Sequence, residues 1–447
     1  MARAKKEAAL TPEDRLQAAL VPDWERPYKL PENWCWTTVG AINQYVGISA
    51  DPTKAKNKTF ELYSVPSSAD NYPEIVLGAD IGSTKQSVKK GDVLLCKINP
   101  RINRVWKVSK YTDHSLLASS EWIVIRNSGL ISNYLMWCFR SPYFRGYMLS
   151  NVSGVGGSLM RAQPKFVQGY PVPVPPLAEQ QRIVDRIESL FAKLDEAKEK
   201  AQAVVDSFET RKAAILHKAF TGELTAKWRE EHGVSIDNWK TTRFDSVAAI
   251  RSNLVDPAEY QSFPHIAPDN IEKKTGVLLE YHTIAEDGVT SGKHRFYSGQ
   301  ILYSKIRPYL SKAVVVDFDG LCSADMYPIE AYQNARCLWY YMLSDEFLLQ
   351  ASTAGSRSVL PKINQKELSA LTVHLPTNDR EQEEIARILD ELFDKEQQTK
   401  EAVEIVLDQI DLMKKSILAR AFRGELGTND PSEESAVELL KEIIRRG

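Results

Sequence analysis

Two stretches of the sequence are rich in lysine and arginine, the residue types that bind phosphate groups. Residues 78–110 contain eight basic residues against two acidic ones, and residues 291–312 contain five basic residues and no acidic one. Positive charge of this kind attracts the phosphate backbone of nucleic acid whatever its base sequence. The aromatic residues interleaved with these charges are Trp106, Phe296, Tyr297, Tyr303 and Tyr309. A run of charged residues is often only a solvent-exposed surface that binds nothing. The positions of the two runs in the chain decide between this interpretation and nucleic-acid binding.

Catalytic chemistry finds no support in the sequence. The glycine-rich segment at residues 153–158 lacks the Lys-Ser/Thr pair of a phosphate loop and the strand-to-helix order of a dinucleotide site. Asp269 and Glu272 are too close in sequence to serve as nuclease carboxylates on neighbouring strands, and Asn99-Pro100 is not the Asn/Asp-Pro-Pro-aromatic motif of amino-methylation. The five cysteines form no Cys-x-x-Cys pair, which excludes a zinc motif of the usual spacing. We expect no catalytic residue, no metal site and no cofactor in this chain.

The composition is that of a globular protein with two or three domains. The chain has 447 residues, of which 43% are hydrophobic and 26% charged, and its formal net charge is −2. It contains no apolar run of about 18 residues, and its basic N-terminal segment lacks the apolar stretch of a signal peptide. The widely spaced cysteines suit a reducing compartment. These features predict a cytoplasmic protein without a membrane partner.

Two long segments, residues 179–220 and 381–422, contain no glycine or proline and match each other without a gap at a constant shift of 202 positions. Their apolar residues recur in alternating steps of four and three, which is typical of a seam between two supercoiled helices. The seam positions are Ile183, Ile187, Leu190, Leu194, Ala197, Ala201, Val204, Phe208 and Ile215, and then Ile385, Leu389, Leu392, Val403, Val406, Ile410, Met413 and Ile417. Arg211 interrupts the pattern in the first segment. Glu396 and Thr399 interrupt it in the second, where we expect looser or polar packing. The pattern predicts two helices of roughly 60 Å whose apolar positions are covered within the chain.

The regions before the two long segments are related but have diverged. Residues 91–100 (GDVLLCKINP) reappear as residues 299–308 (GQILYSKIRP), and residues 117–121 (LASSE) reappear as residues 321–325 (LCSAD). Short β-rich segments dominate the first region, with one helix near residues 132–149. Because the two basic runs occupy equivalent places in this repeat, nucleic-acid binding is favoured over a solvated face.

The sequence predicts seven segments. They are an N-terminal extension (1–29), a first globular module (30–176), a first long helix (177–222), a linker (223–238), a second module (239–376), a second long helix (377–426) and an acidic tail (427–447). Thr11 before Pro12 predicts a helix start in the extension, since threonine caps helices and proline suits their first turn. One terminal helix is expected in the tail.

The chain resembles the specificity (S) subunits of type I restriction-modification enzymes over nearly its whole length. The resemblance is carried by the paired helices and by four short motifs. These motifs are Pro175-Pro176-Leu177 before Glu179-Gln180, Leu375-Pro376 before Glu381-Gln382, KAFTGEL at residues 218–224 and RAFRGEL at residues 420–426.

The resemblance implies a mixed α/β fold with two target recognition domains, related by internal duplication and separated by two long antiparallel coiled-coil helices. In that family each domain reads one half of a split sequence in the major groove of double-stranded DNA. The resemblance also implies a non-catalytic subunit that assembles with two DNA adenine methyltransferase (M) subunits and with restriction/translocase (R) subunits. Those partners would use S-adenosylmethionine, and ATP with magnesium.

The residues expected to contact DNA are the basic side chains of the two runs and of the two glycine-containing loops. In the first module they are Lys85, Lys89, Lys97, Arg101, Arg104, Arg161 and Lys165, and in the second they are Lys293, Arg295, Lys305, Arg307, Arg357 and Lys362.

Two other functions stay open at this point. A stand-alone nuclease or methyltransferase would cleave DNA with a metal ion, or transfer a methyl group, as the purified chain alone. A structural coiled-coil protein would bind no DNA duplex, even together with a methyltransferase partner.

Overall fold

The computed structural model describes residues 11–154, 160–354 and 361–446. The chain divides into two compact units: unit 1 consists of Met1–Lys200 and Val406–Gly447, and unit 2 consists of Ala201–Ile405. Within the described part of the chain, no helix combines the length and the apolar character needed to cross a lipid bilayer.

The described residues of the first globular region form short strands and five α-helices. The helices are α1 (Pro12–Ala19), α2 (Val39–Ile42), α3 (Ser132–Arg140), α4 (Pro142–Ser150) and α5 (Pro164–Val167). The strands are β1 (Cys35–Thr38), β2 (Ser49–Ala50), β3 (Thr59–Tyr63), β4 (Glu74–Leu77), β5 (Lys85–Ser87), β6 (Val93–Cys96), β7 (Val105–Lys107), β8 (Ser115–Ala118), β9 (Trp122–Ile125), β10 (Val152–Ser153), β11 (Arg161–Ala162) and β12 (Pro171–Val174). The expected helix at residues 132–149 is divided in two because Pro142 cannot donate a backbone hydrogen bond and Ser141 caps a new helix through the amide of Phe144.

Two sheets form the centre of this region. One has five strands in the order β2-β5-β8-β3-β4, and the other has three in the order β7-β6-β9. In the larger sheet β3 and β8 run parallel, with Leu62 opposite Leu117, while β5 runs antiparallel to β8, with Ser87 opposite Leu117. The main core lies between the smaller sheet and helices α3 and α4, and includes the fully buried Tyr134 and Phe139.

The two long segments are helical, as predicted, and so is the connector between the modules. Helix α6 (Leu177–Asp206) is followed after Ser207 by α7 (Phe208–Phe220), and α8 (Ala226–His232) follows in the connector. The break at Ser207 has a local cause, because its hydroxyl donates to the carbonyl of Val204 and competes with the helical hydrogen bonds.

The second globular region follows the plan of the first. Its strands are β13 (Trp239–Arg243), β14 (Ala248–Ile250), β15 (Leu254–Val255), β16 (Pro264–Ile266), β17 (His282–Thr283), β18 (Lys293–Phe296), β19 (Ile301–Ser304), β20 (Ala313–Val315), β21 (Gly320–Cys322), β22 (Met326–Ala331) and β23 (Thr372–Pro376). Its helices are α9 (Ala335–Met342), α10 (Asp345–Ala354) and α11 (Gln365–Ala370). The five-stranded sheet has the order β15-β18-β21-β16-β17, and again one pair, β16 with β21, is parallel.

The second long segment forms one unbroken helix, α12 (Asp379–Ala421), and the acidic tail forms α13 (Ala436–Arg446). In unit 1, the beginning of α6 packs with the end of α12, since Ile183 and Leu418 share one core. In unit 2, the end of the first long segment packs with the beginning of α12, since Leu216 and Ile385 share another. The two long segments therefore pair antiparallel in each unit.

The start of each long helix is fixed by a buried glutamate. In unit 1, Glu179 accepts a hydrogen bond from the hydroxyl of Thr428 at 2.7 Å, and Thr428 follows the end of α12. In unit 2, Glu381 accepts hydrogen bonds from Thr225 at 2.8 Å and Arg229 at 2.7 Å, which follow the end of α7. Burial raises the pKa of Glu179. The residues that follow each GEL motif thus bind the glutamate at the start of the other long helix.

The predicted seam is wrong in three places. Ala197 is exposed, Val406 is 44% exposed and Met413 is 49% exposed. On α12, Leu407 and Lys414, each one residue further along, are partly buried instead, and Lys414 contacts the first long segment. Lys414 can occupy such a position because its ammonium group binds Asp195 and lies 5.2 Å from the ring centroid of Phe191. Val406 and Met413 are consequently left on the outer side of α12.

Candidate nucleic-acid interface

In unit 1, a strained turn follows strand β6 and carries part of the predicted basic run. Pro100–Ile102 form one turn of 3-10 helix, flanked by Asn99 with φ 45° and Asn103 with φ 52°. The left-handed conformation costs free energy for any residue with a side chain and is frequent at ligand-binding sites. Arg101 and Ile102 are exposed at the tip of this turn.

Unit 2 has the same turn after strand β19. Pro308–Leu310 are flanked by Arg307 with φ 48° and Ser311 with φ 46°. Neither arginine nor serine favours this conformation, and Arg307 is exposed. The backbone amide of Arg307 donates to the carbonyl of Pro361 at 2.7 Å, just as the amide of Asn99 donates to Met160 at 2.8 Å. The repeated turn is therefore held in each unit by the residue that follows the glycine-containing loop.

The structure brings together basic residues that lie far apart in the sequence. In unit 1, the amide of Ala162 donates to the carbonyl of Lys97 at 2.8 Å, which places Arg161 beside Lys97. Both side chains reach one acid, since Lys97 Nζ lies 3.9 Å from Glu121 Oε2 and Arg161 Nη2 lies 3.3 Å from Glu121 Oε1. Lys97 also donates to the carbonyl of Ser120 at 2.8 Å.

The same cluster recurs in unit 2. The Nζ atoms of Lys305 and Lys362 lie 4.0 Å and 3.2 Å from Oδ1 of Asp325. Lys305 donates to the carbonyl of Ala324, the residue before the acid, as Lys97 does in unit 1. In each unit, two basic side chains therefore surround one acidic side chain, and the three together have a net charge of about +1. We did not predict Glu121 or Asp325, although the LASSE and LCSAD repeat ends on these two acids.

Lys85 and Lys293 are also equivalent, but both are bound to their own strands. The Nζ atom of each donates to the carbonyl and the hydroxyl of the serine two residues earlier, Ser83 or Ser291. Burial lowers the pKa of both lysines. These contacts hold the two ammonium groups close to the sheet instead of extending them into solvent.

The other predicted residues are distributed around the turns. Lys89 and Lys165 are exposed, Arg104 is partly buried, and the ammonium group of Lys165 lies 4.8 Å from the ring centroid of Phe166. Arg295 lies on strand β18 of the five-stranded sheet. Arg357 lies outside the described residues.

Metal and thiol chemistry receive no support from the described residues. No group of three or more histidine, cysteine, aspartate or glutamate side chains among them is arranged to hold a metal ion. All five cysteines are buried and unpaired, and burial raises the pKa of the Cys138, Cys322 and Cys337 thiols. The exposed positive charges described above therefore remain the candidate binding feature of both units.

Comparison with known proteins places both modules in one family. The family described as type I restriction modification DNA specificity domain matches the chain twice, over residues 47–205 and 236–405. The chain is 36% identical over 370 residues to the type I restriction enzyme EcoDI specificity subunit of Escherichia coli, which covers 76% of this chain and 82% of that protein. It is 23% identical to the EcoKI specificity subunit of Escherichia coli strain K12, over 93% of this chain and 96% of that protein.

Two solved structures have the same fold. The HsdS subunit from Thermoanaerobacter tengcongensis matches with a TM-score of 0.60 at 20% identity, covering 90% of this chain and 100% of that one. A chain from a structural study of complex assembly and conformational transition of the type I R-M system matches with a TM-score of 0.71, again at 20% identity and with the same coverage. These matches confirm the predicted mixed α/β fold with two related modules and two long helices packed together.

Proposed function

Because the chain belongs to the family of type I restriction-modification DNA specificity subunits, we propose that each of its two units reads one half of a bipartite, asymmetric target in the major groove of double-stranded DNA. The family consists of specificity subunits, so the expectation of a non-catalytic recognition subunit is confirmed. Two readers in one chain multiply their selectivity, since binding of the first raises the effective concentration of the second.

The observation that carries this proposal is the duplicated cluster beside the strained turn. Lys97, Glu121 and Arg161 in unit 1 have the same mutual contacts as Lys305, Asp325 and Lys362 in unit 2. Most positions differ between the two modules, whereas these three keep the sign of their charge and their mutual contacts. Contacts to phosphate are the part of DNA recognition that two different half-sites have in common, so these clusters are suited to bind the backbone.

The long helices set the distance between the half-sites in this proposal. Helix α12 has 43 residues, which corresponds to about 65 Å at 1.5 Å per residue. Successive major grooves on one side of a duplex are only about 34 Å apart. A helix pair of this length can therefore separate two readers by one turn of DNA or more, and its length defines the unread spacer.

The outer side of α12 is the proposed docking surface for methyltransferase subunits. In unit 1, Val406 and Met413 lie seven residues apart and are 44% and 49% exposed, and Leu412 is 61% exposed. Exposed apolar side chains at this spacing form a stripe along one face of a helix, which is suited to pack against a partner helix. In the full complex, two such methyltransferase subunits would bring S-adenosylmethionine, and restriction subunits would bring ATP with magnesium.

The test is to express the chain with its methyltransferase partner and to map methylated adenines in the DNA of those cells. The expected result is a single motif with two fixed halves around an unread spacer of constant length. Methylation without sequence preference, or a continuous motif, would contradict the proposal. Methyl transfer or DNA cleavage by the purified chain alone would instead favour a stand-alone enzyme.

A further inference from the structure

The strands of the two five-stranded sheets pair in the same register. The side chains in one row across these sheets, however, differ between the two units. In unit 1 this row runs across the sheet through Ser87, Leu117 and Leu62. The two leucines pack there with Phe60 and Ile81 in a small apolar cluster. In unit 2 the same row runs through Arg295, Leu321 and His265.

The side chains of strand β18 point alternately to the two faces of the sheet. The neighbours of Arg295 therefore show on which face it lies. Phe296 is fully buried in a core cluster with Ile266 and Cys322, on the opposite face of the sheet. Successive residues of a strand point to opposite faces, so Arg295 points away from that core. An arginine therefore occupies the position at which unit 1 has Ser87.

The guanidinium group of Arg295 is held by aromatic rings. Its carbon lies 4.8 Å from the ring centroid of Tyr297, 5.3 Å from that of Tyr260 and 6.0 Å from that of Phe263. Nη1 lies 3.4 Å from the hydroxyl of Tyr260, to which it donates. Stacking of this kind restricts the planar group to few orientations and so prepares its hydrogen-bond donors for a ligand.

No acid neutralises this arginine among the described residues. Its Nε is buried without a hydrogen-bond partner. Other arginines of the same unit do have acidic partners: Arg251 pairs with Glu330 and Arg336 pairs with Asp390. A partly buried donor without a partner costs free energy in the free protein, and such a cost is recovered when a ligand accepts the hydrogen bonds.

From this arrangement, and on the basis of the proposed DNA-reading function, we infer that Arg295 recognises a guanine in the half-site bound by unit 2. A planar guanidinium group binds O6 and N7 of guanine with two parallel hydrogen bonds in the major groove. Phosphate offers similar acceptors, but backbone contacts are common to both half-sites. A side chain present in one unit and replaced by serine in the other is suited to read a base that only one half-site contains.

The experiment measures binding of the complete complex, formed by this chain and its methyltransferase partner, to duplexes in which each target position is varied. Three variants of the chain are compared: Arg295→Gln, Arg295→Lys and the control Arg251→Lys. The side chain of Arg251 is 52% exposed and forms an ion pair with Glu330. For both Arg295 variants, the preference for one G·C pair in one half-site should fall about 10- to 100-fold. The base preferences at all other target positions should be unchanged. The control variant should keep the base preference of the wild-type complex at every position.

A second measurement leaves the protein unchanged and is therefore independent of folding. Replacing that guanine by 7-deazaguanine removes N7, so it should weaken binding by the wild-type complex and have little effect on Arg295→Gln. Equal weakening on all duplexes, with a shallower salt dependence, would identify a phosphate contact and overturn the inference. So would unchanged base preferences, or the absence of a required G·C pair from both half-sites. Loss of all sequence preference in the wild-type complex would instead contradict the proposed function itself.

Discussion

Arg211 of helix α7 and Glu396 of helix α12 form a bidentate ion pair within unit 2, with Nη2 2.7 Å from Oε2 and Nε 3.1 Å from Oε1 of Glu396. The guanidinium carbon of Arg211 also lies 4.5 Å from the ring centroid of Phe208. These two residues are two of the three that interrupt the apolar seam of the long helices. The interruptions therefore compensate each other, and the prediction of polar packing is confirmed at this point.

Exchanging the two charges should show how much stability comes from the ion pair itself and how much from its surroundings. Arg211→Glu or Glu396→Arg alone places like charges together and should destabilise unit 2 by about 1–2 kcal/mol, because the side chains are only 36% and 29% exposed. The double exchange should recover most of the loss in a thermal melt. The same exchange of Glu196 and Lys200, which are 65% and 76% exposed, should change stability by only a few tenths of a kcal/mol. Additive effects of the two Arg211 and Glu396 changes would show that they do not interact.

The buried Glu381 should be among the most sensitive positions of unit 2. Its Oε1 accepts hydrogen bonds from Thr225, Arg229 and Trp239. Glu381→Ala leaves the guanidinium of Arg229, only 11% exposed, without its acid, so we expect a loss of about 3 kcal/mol in the free energy of unfolding. Glu381→Gln keeps an acceptor and should cost less.

Denaturant unfolding of both variants checks this prediction, and the exposed Glu383→Ala on the same helix is the matched control, expected to have almost no effect. If Glu381→Gln is as damaging as Glu381→Ala, the charge and not the hydrogen bonds holds the segment in place.

Most of the architecture could be predicted from the sequence, because it depends on local patterns. Short strands dominate the first module, and Thr11 caps α1 through the amide of Asp14, both as expected. The error in the seam has a simple cause. Apolar spacing alone favoured Val406 and Met413, whereas Lys414 faces the other helix because its ammonium group contacts both Asp195 and the ring of Phe191.

The binding clusters were predictable only in part. The basic runs indicated Lys97 and Lys305. The acidic residues that they contact, Glu121 and Asp325, belong to other parts of the chain, so only the tertiary structure shows these contacts. The exceptional environment of Arg295 depends on Tyr260, which is 35 residues away in the chain. Charge patterns identify candidate residues, whereas only tertiary structure distinguishes a neutralised arginine from one without an acidic partner.

The strained turn allows function and stability to be separated. Arg307 and Ser311 both have a left-handed conformation, which glycine adopts without cost. Arg307→Gly and Ser311→Gly should therefore each stabilise unit 2 by about 0.5–1 kcal/mol in a thermal melt. Only Arg307→Gly removes a positive charge, so it alone should weaken DNA binding, about equally on all sequences. Equal DNA affinity of the two variants would exclude Arg307 from the interface.

Lys212 should titrate near neutral pH. Burial lowers its pKa to about 8, although its Nζ donates to the carbonyls of Lys274 and Thr275. Because the unfolded chain holds this proton up to about pH 10.4, the contribution of Lys212 makes folding more favourable as pH rises from 8 to 10. Pulse labelling with acetic anhydride, read by mass spectrometry, should give a midpoint near pH 8 for Lys212. In the denatured chain the midpoint for Lys212 should rise to about 10.4, and equal midpoints in the folded and denatured protein would contradict the prediction.

Helix length offers the most direct test of how the half-site spacing is set. Lys198 and Asp411 lie opposite each other in the antiparallel pair of unit 1, with 2.9 Å between Nζ and Oδ1. Insertion of four residues near Ala197, with four more near Asp411 to keep the helices in register, lengthens the pair by about 6 Å. Since one base pair rises about 3.4 Å, the mapped spacer should grow by about two base pairs while both half-sites keep their bases. The same four residues inserted at the exposed Gly233 should leave the spacer unchanged. A change in the half-site bases would mean that the helices help to read DNA, and an unchanged spacer would mean that the distance is set elsewhere.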